Sequence, residues 1–186
     1  MKTKHIVKIE KLVFGGQALA RLKTGQTVFI WNALPGETVE IEIITKKRNY
    51  LEATAKKIII PSKDRIEPQT SHYLSTSAWE IITPKKEKQY KIEIAQETYK
   101  KIGLFETPNL TIESLDKNFE YRNKIEYSFC DKNFIYKTRK QKELEKNTAN
   151  KITKEDISLA FYERGGKDRI PVTNCKLATK EINKTK

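Results

Sequence analysis

Cys130 and Cys175 are the two cysteines of this 186-residue chain, and His5 and His72 are its two histidines. They are far apart in sequence, so a conventional Cys/His zinc site is not expected from this chain. Two cysteines make no disulfide framework, and the chain reads as reduced and cytoplasmic. His72 has no second titratable neighbour in sequence with which to do acid–base chemistry. The residues whose spacing suggests chemistry are instead basic and aromatic. Lys46-Lys47-Arg48-Asn49-Tyr50 places three cations beside an aromatic ring. Phe14 precedes Gly15-Gly16, where a backbone without Cβ atoms lets a ligand approach closely. Its other reading is a buried core ring. Arg21 can bridge two phosphates bidentately, or pair with Glu37 or Glu40. Tyr121, Arg122 and Lys124 open a second such stretch. Arg164, Lys167 and Arg169 surround Gly165-Gly166, either as a phosphate-binding turn or as a plain hairpin. Tyr121 and Phe129 read as core.

The charge has the same bearing. The net formal charge is +13, which points to a polyanionic partner, nucleic acid first. A lysine-rich surface would give the total but not its distribution. Residues 1–60 are net +6, residues 61–120 net −1 and residues 121–186 net +8. No apolar run approaches the ~18 residues of a membrane span. The N-terminus alternates charged and apolar residues without the apolar core of a signal peptide, so no membrane partner is expected.

These residues need a scaffold. Residues 5–60 read as five short strands. The first carries Ile6, Val7, Ile9, Leu12 and Val13 as core candidates; the others are Ala18 to Leu22, Thr27 to Trp31, Thr38 to Ile44 and Leu51 to Ile60. Gly15-Gly16, Thr24-Gly25-Gln26 and Leu34-Pro35-Gly36-Glu37 are turns between them. Strands at this spacing predict a small closed barrel over residues 1–60. Residues 61–83 read as a linker. The spacing predicts a helix from Pro84 to Gly103, with Thr83 as N-cap, Pro84 at N1 and Gly103 as the C-terminal stop. Tyr121 to Tyr136 and Ile157 to Tyr162 read as strands. Residues 137–156 are lysine-rich and nearly without apolar side chains, which predicts a mobile insertion. The fold class is mainly β with an α+β second part at 84–186.

VFGGQALARL followed by GQTVFIWNALPGETVEIEI resembles a TRAM domain, through Gly15, Gly16, Ala18, Ala20, Arg21, Val28, Phe29 and Pro35-Gly36-Glu37. HYLSTSAWEI, EYRNKIEYSF (120–129) and LAFYERGGKDRIPVTNCKLATKEIN (159–183) extend the likeness to the RNA (uracil-5-)-methyltransferases. The resemblance implies a five-stranded, OB-like, RNA-binding barrel, then a central α+β domain that is incomplete here. It implies contact with a tRNA or rRNA loop through Phe14, Arg21, Lys46, Lys47, Arg48, Tyr50, Arg122, Lys124, Arg164 and Lys167.

In that family an S-adenosylmethionine domain supplies the methyl group and a catalytic cysteine adds to C6 of the uracil. Neither cysteine here matches that motif, and no glycine-rich strand–loop–helix unit is present. The expectation is a chain inactive alone, without a cofactor of its own, whose methyltransferase domain is missing, in cis or in trans. Many members also hold an iron–sulfur cluster through three cysteines after the barrel and a fourth further on. Here residues 70–77 contain no cysteine and only Cys175 stands at the fourth position, so no cluster is expected. Two other readings remain: a stand-alone TRAM or OB-type RNA-binding protein, and a single-strand binder that also accepts DNA.

Overall fold

The computed structural model describes residues 4–114, 117–131, 157–164 and 168–184. The chain forms two compact units, Met1–Asp116 and Lys117–Lys186. The first holds β1 (Lys4–Lys8), β2 (Lys11–Leu12), β3 (Ala18–Arg21), β4 (Thr27–Trp31), β5 (Thr38–Lys46) and β6 (Tyr50–Ile60). Their order across the sheet is β1-β5-β6-β4-β3-β2, with β4 and β6 parallel and the other pairs antiparallel.

The five expected strands are all present, the first in two pieces that form opposite edges of the sheet. Between them Ile9 N donates to Glu37 O at 2.8 Å and Gly36 N donates to Ile9 O at 3.0 Å, while Glu10 N donates to Leu19 O at 2.9 Å. One stretch of chain thus serves both edges, and the sheet curls to meet it. Small side chains permit the curl: Ala18, Ala20, Ala53 and Ala55 are buried beside Val28, Ile30, Val39 and Ile41. Adjacent strand residues face opposite ways, so Val7, Ile9 and Leu12 turn inward. Ile6, read above as core, is 61% exposed for that reason.

The Pro35-Gly36-Glu37 turn carries a buried carboxylate. Glu37 has no exposed surface. It accepts from Leu34 N (2.9 Å), Ser62 N (3.1 Å), Arg65 Nε (2.6 Å) and Arg65 Nη2 (2.8 Å). Arg65 Nη2 also donates to the Asn32 carbonyl at 3.2 Å. Asn32, at φ 63°, is a residue type that tolerates the left-handed region. Its Oδ1 accepts from Tyr73 Oη at 2.8 Å, and its Nδ2 donates to Ala55 O at 3.2 Å.

Residues 61–103 pack on the curled sheet. Ile81, Ile82 and Tyr90 join its core, with Tyr73, Trp79 and Ile94 against it. A short helix α1 (Tyr73–Thr76) leads to α2 (Pro84–Thr98), which runs into a π-helical turn, Tyr99–Gly103. Pro84 stands at N1 as expected. Thr83 caps through its backbone alone, its carbonyl accepting from Glu87 N at 2.9 Å. The left-handed residue after the helix is Leu104 (φ 57°), not Gly103. Gly103 is small for another reason: a Cβ there would lie 2.7 Å from the Phe105 ring. Glu97 binds both Lys11 of β2 and Lys101, tying α2 to the sheet. Hydrogen bonds from Lys101 and then Lys11 hold its carboxyl below the usual range.

The second unit has a three-stranded antiparallel sheet of β7 (Ser128–Asp131), β8 (Ile157–Tyr162) and β9 (Arg169–Pro171), and a short helix α3 (Lys180–Lys184). Cys175, Leu177 and Ala178 form its core with Phe119, Ile125, Phe161 and Ile182. β8 has the expected bounds. The strand expected from Tyr121 begins only at Ser128, because Arg122 bonds to the 177–179 segment instead: Arg122 N donates to Leu177 O at 2.8 Å and Thr179 N to Arg122 O at 3.0 Å. Its end and the 137–156 insertion lie outside the described residues.

Replacing Arg65 by alanine leaves the Glu37 carboxylate buried without its counter-ion, and breaking such a pair costs about 3–5 kcal/mol. Urea unfolding of Arg65→Ala is expected to show a loss of that order. A loss under about 1 kcal/mol, the size of an exposed pair, would show the ion pair to be dispensable.

Candidate nucleic-acid interface

Strand register gathers residues that the sequence keeps apart. Arg21 faces Thr27 across β3–β4, and Thr27 faces Tyr50 across β4–β6. One row along, Leu19, Phe29 and Glu52 are aligned the same way. Directly paired residues share a face, and Val28 and Ile30 occupy the buried one, so Arg21, Phe29 and Tyr50 lie on the outer face. The Phe29 and Tyr50 rings meet edge-on, with centroids 5.2 Å apart at 76°. Lys47 N donates to Tyr50 O at 3.0 Å, closing the hairpin between β5 and β6.

Lys46, Lys47 and Arg48 stand exposed at this tip, and among the described residues no carboxylate pairs with them. Arg21 meets Glu10 at 3.7 Å, with both side chains about half exposed, and such a contact is weak. Neither Glu37 nor Glu40 is its partner as the sequence suggested. Glu37 turns inward to Arg65, and Glu40 accepts from Lys4 at 2.9 Å. The surface therefore offers four cations for phosphate oxygens next to two aromatic rings for a base, the pairing of groups that single-stranded nucleic acid needs. Phe29 was not singled out from the sequence as a contact residue. Its alternation with Val28 and Ile30 marks it as outward-facing, but only the β4–β6 register places it against Tyr50.

Phe14 lies elsewhere, in the turn between β2 and β3, at the end of β3 opposite Arg21. It is 82% exposed, which corrects its reading as a core ring. The turn needs its glycines, with Gly15 at φ 89° and Gly16 at φ 86°. A Cβ on Gly16 would come within 3.0 Å of Trp79 Nε1, so glycine there lets the indole lie on the turn. Phe14, Gly15, Gly16, Trp79, Lys91 and Tyr99 line a mostly apolar groove of about 480 Å³. Lys91 Nζ sits over the Trp79 ring, 5.7 Å from a ring centroid.

In the second unit Arg122, Lys124 and Arg164 are exposed, and Lys124 pairs with Glu126 at 2.9 Å. Lys167 lies outside the described residues. Tyr121 and Phe129, read as core, are both mostly exposed. The rings packed on the core are Phe119 and Phe161, with Tyr127 beside Phe161 at 5.1 Å.

The residues at the cluster positions do not fit an iron–sulfur cluster. Over 70–77 the hydroxyls serve the fold: Thr70 Oγ1 bonds Glu80 Oε2 at 3.1 Å, Tyr73 Oη bonds Asn32, and Thr76 Oγ1 donates to His72 O at 3.3 Å. Cys175 is buried, and Asn183 clamps its backbone at both N and O, each at 3.0 Å. Burial pushes the Cys130 thiol up, away from the thiolate that a nucleophile or ligand requires. Among the described residues no group of three or more His, Cys, Asp or Glu side chains could hold a metal ion, and no helix is long and apolar enough to cross a membrane.

Residues 5–56 match the TRAM domain. The chain is 31% identical over 160 residues to an uncharacterized RNA methyltransferase of Bdellovibrio bacteriovorus, an alignment covering 84% of this chain and 40% of that protein. It is 28% identical over 177 residues to the 23S rRNA (uracil(1939)-C(5))-methyltransferase RlmD of Haemophilus influenzae, covering 92% of this chain and 35% of the relative. An uncharacterized RNA methyltransferase of Aquifex aeolicus is 29% identical over 186 residues, covering 98% and 38%. The chain thus spans two fifths or less of the length of these relatives.

Because Arg21 and Arg48 are exposed, Arg21→Ala and Arg48→Ala are each expected to change unfolding stability by less than about 0.5 kcal/mol. A chemical denaturation curve checks this. A loss above about 1.5 kcal/mol for either would mark that side chain as structural rather than available to a ligand.

Proposed function

We propose that this chain, whose residues 5–56 match the TRAM domain and which is similar to RNA methyltransferases over most of its length, is the RNA-holding part of an S-adenosylmethionine-dependent RNA (uracil-C5) methyltransferase. The observation that carries the reading is the outer face of the first unit, where Lys46, Lys47, Arg48 and Arg21 border the Phe29–Tyr50 pair. Methylation at C5 of a base within a folded RNA requires that base to be unstacked. A surface that grips phosphates on either side of a distorted loop holds it in that state. The RNA is a tRNA or rRNA loop in the cytoplasm. Arg122, Lys124 and Arg164 of the second unit add cations to the same task. Methyl transfer itself belongs to a domain outside these 186 residues, acting in cis or in trans, where S-adenosylmethionine supplies the methyl group.

The test is fluorescence anisotropy with a uridine-looped RNA hairpin and a DNA hairpin of equal length, titrated across a salt series. The RNA is expected to bind more tightly, and its log K to fall linearly with log salt at about 0.7–0.9 per neutralised phosphate. Arg21→Ala and Arg48→Ala are each expected to weaken binding and to reduce that slope by about one phosphate contact. Calorimetry with S-adenosylmethionine is expected to give no heat with this chain. Equal affinity for RNA and DNA, with neither substitution having an effect, would sink the reading.

A further inference from the structure

Glu52 stands on the outer face beside the aromatic pair and has no part in a grip on phosphate. We infer that it is a specificity residue: its carboxylate reads the Watson–Crick edge of a base stacked on Tyr50 and Phe29, and selects guanine. This rests on the RNA-holding reading above and deepens it, from a surface that holds RNA to one that prefers a particular base at one position.

Three observations carry it. The first is place. Glu52 faces Phe29 across β4–β6 and Thr45 across β5–β6, and it shares the outer side of β6 with Tyr50, since Leu51 between them is buried. Two residues along a strand span about 6.6 Å, so a base lying on the Tyr50 ring has its edge within reach of Glu52. The second is the want of a partner. Among the other glutamates of the strands and their turns, Glu10 meets Arg21 at 3.7 Å, Glu37 is held by Arg65, Glu40 accepts from Lys4, and Glu42 is also engaged. Glu52 makes no hydrogen bond or ion pair with any described residue, although it is partly buried. Withdrawing an unpaired carboxylate from water costs free energy, so folding does not account for it. The third is charge. Lys46, Lys47 and Arg48 at the tip attract phosphate, which a carboxylate repels. A negative group beside them is out of place on a surface built for phosphate alone, and it fits a surface that also meets the donors of a base.

The choice of base follows from donor and acceptor patterns. An ionised carboxylate only accepts hydrogen bonds, through two oxygens. Guanine presents N1–H and N2–H side by side, one for each oxygen. Adenine and cytosine set a ring-nitrogen acceptor beside their amino group, and uracil sets its N3–H between two carbonyl oxygens. Unpaired bases in RNA are read on this edge while stacked on aromatic side chains.

The experiment is fluorescence anisotropy on the full chain with octauridylate and with RNAs of the same length carrying one central guanosine, inosine or adenosine. The unaltered chain is expected to bind the guanosine RNA about 5- to 100-fold more tightly than the adenosine RNA, the range for one bidentate contact. Inosine, which lacks the N2 amino group, is expected to fall between them. Glu52→Gln offers one donor and one acceptor, which both purine edges satisfy. The preference is therefore expected to vanish in that variant, while octauridylate binds as well or better. Comparing guanosine with inosine needs no variant, so a folding defect in Glu52→Gln does not hide the answer. Equal affinity of the unaltered chain for all of these RNAs, with the hairpin still bound through Arg21 and Arg48, overturns the inference and leaves the RNA-holding reading intact. A guanosine preference that survives Glu52→Gln also overturns it. So does a gain by one common factor on every RNA, which would mark Glu52 as a brake on phosphate binding alone. Failure of the unaltered chain to bind these RNAs or the hairpin would remove the reading on which the inference rests.

Discussion

The first unit depends on one buried ion pair. Glu37 sits at the end of the Pro-Gly turn with no solvent contact, and it is satisfied by two backbone amides and the Arg65 fork. Burying two charges costs several kcal/mol each before their attraction is counted, and replacement by well-packed apolar groups is often no worse for stability. The pair therefore needs a reason beyond its energy, and its geometry supplies one. It joins three segments that apolar packing alone would leave to slide: the turn entering β5, the exit from β6 at Ser62, and the Asn32 corner after β4. Arg65 reaches the Asn32 carbonyl and Tyr73 reaches its side chain, so α1 is brought to the same point. An unpaired carboxylate there is costly, so any arrangement that parts Glu37 from Arg65 is disfavoured. The same turn contacts Ile9, the residue at which the first strand crosses from one sheet edge to the other.

Register also decides which side chains the outer face presents. A slip of one residue between β4 and β6 would turn Tyr50 inward and separate it from Phe29. The parallel pairing of β4 with β6, together with the β3–β4 pairing, is what brings Arg21, Thr27 and Tyr50 into a line. The buried pair and the basic tip lie at opposite ends of the β5–β6 ladder, where Thr38 faces Ile60 and Lys46 faces Leu51.

Much of this was legible in the chain. Period-two alternation and Gly or Pro turns located every strand of the first unit within a few residues, and Pro84 located the start of α2. Three things were not legible, each for a physical reason. Ile6 and Val7 are equally apolar, and only the pairing of β1 with β5 decides which faces in. Residues 61–83 lack any period, so their packing through Ile81, Ile82 and Arg65 could not be read from spacing. It depends on a partner carboxylate 28 residues away, in a turn whose glutamate the sequence offered as a partner for Arg21 instead. Phe14 looked like core by its ring, yet two adjacent left-handed glycines turn its backbone away from the sheet. For the interface, the basic residues were readable from their run in sequence, whereas Phe29 required register.

Residues 61–120 are nearly neutral by composition, and several of their carboxylates lie beside lysines. Asp64 lies 3.7 Å from Lys86, Glu87 meets Lys91, Glu97 holds Lys11 and Lys101, and Glu106 meets Lys100 at 2.6 Å. Glu80 accepts from Gln69 N and Thr70 Oγ1. The lysines of α2 and its π-helical turn are thereby largely matched, and their surplus does not reach across the surface. At the β5–β6 tip no described carboxylate plays that part. A bare total of +13 would be compatible with any lysine-rich surface. What distinguishes the β5–β6 tip is that Lys46, Lys47 and Arg48 have no carboxylate partner among the described residues, beside rings that the fold leaves outside its core.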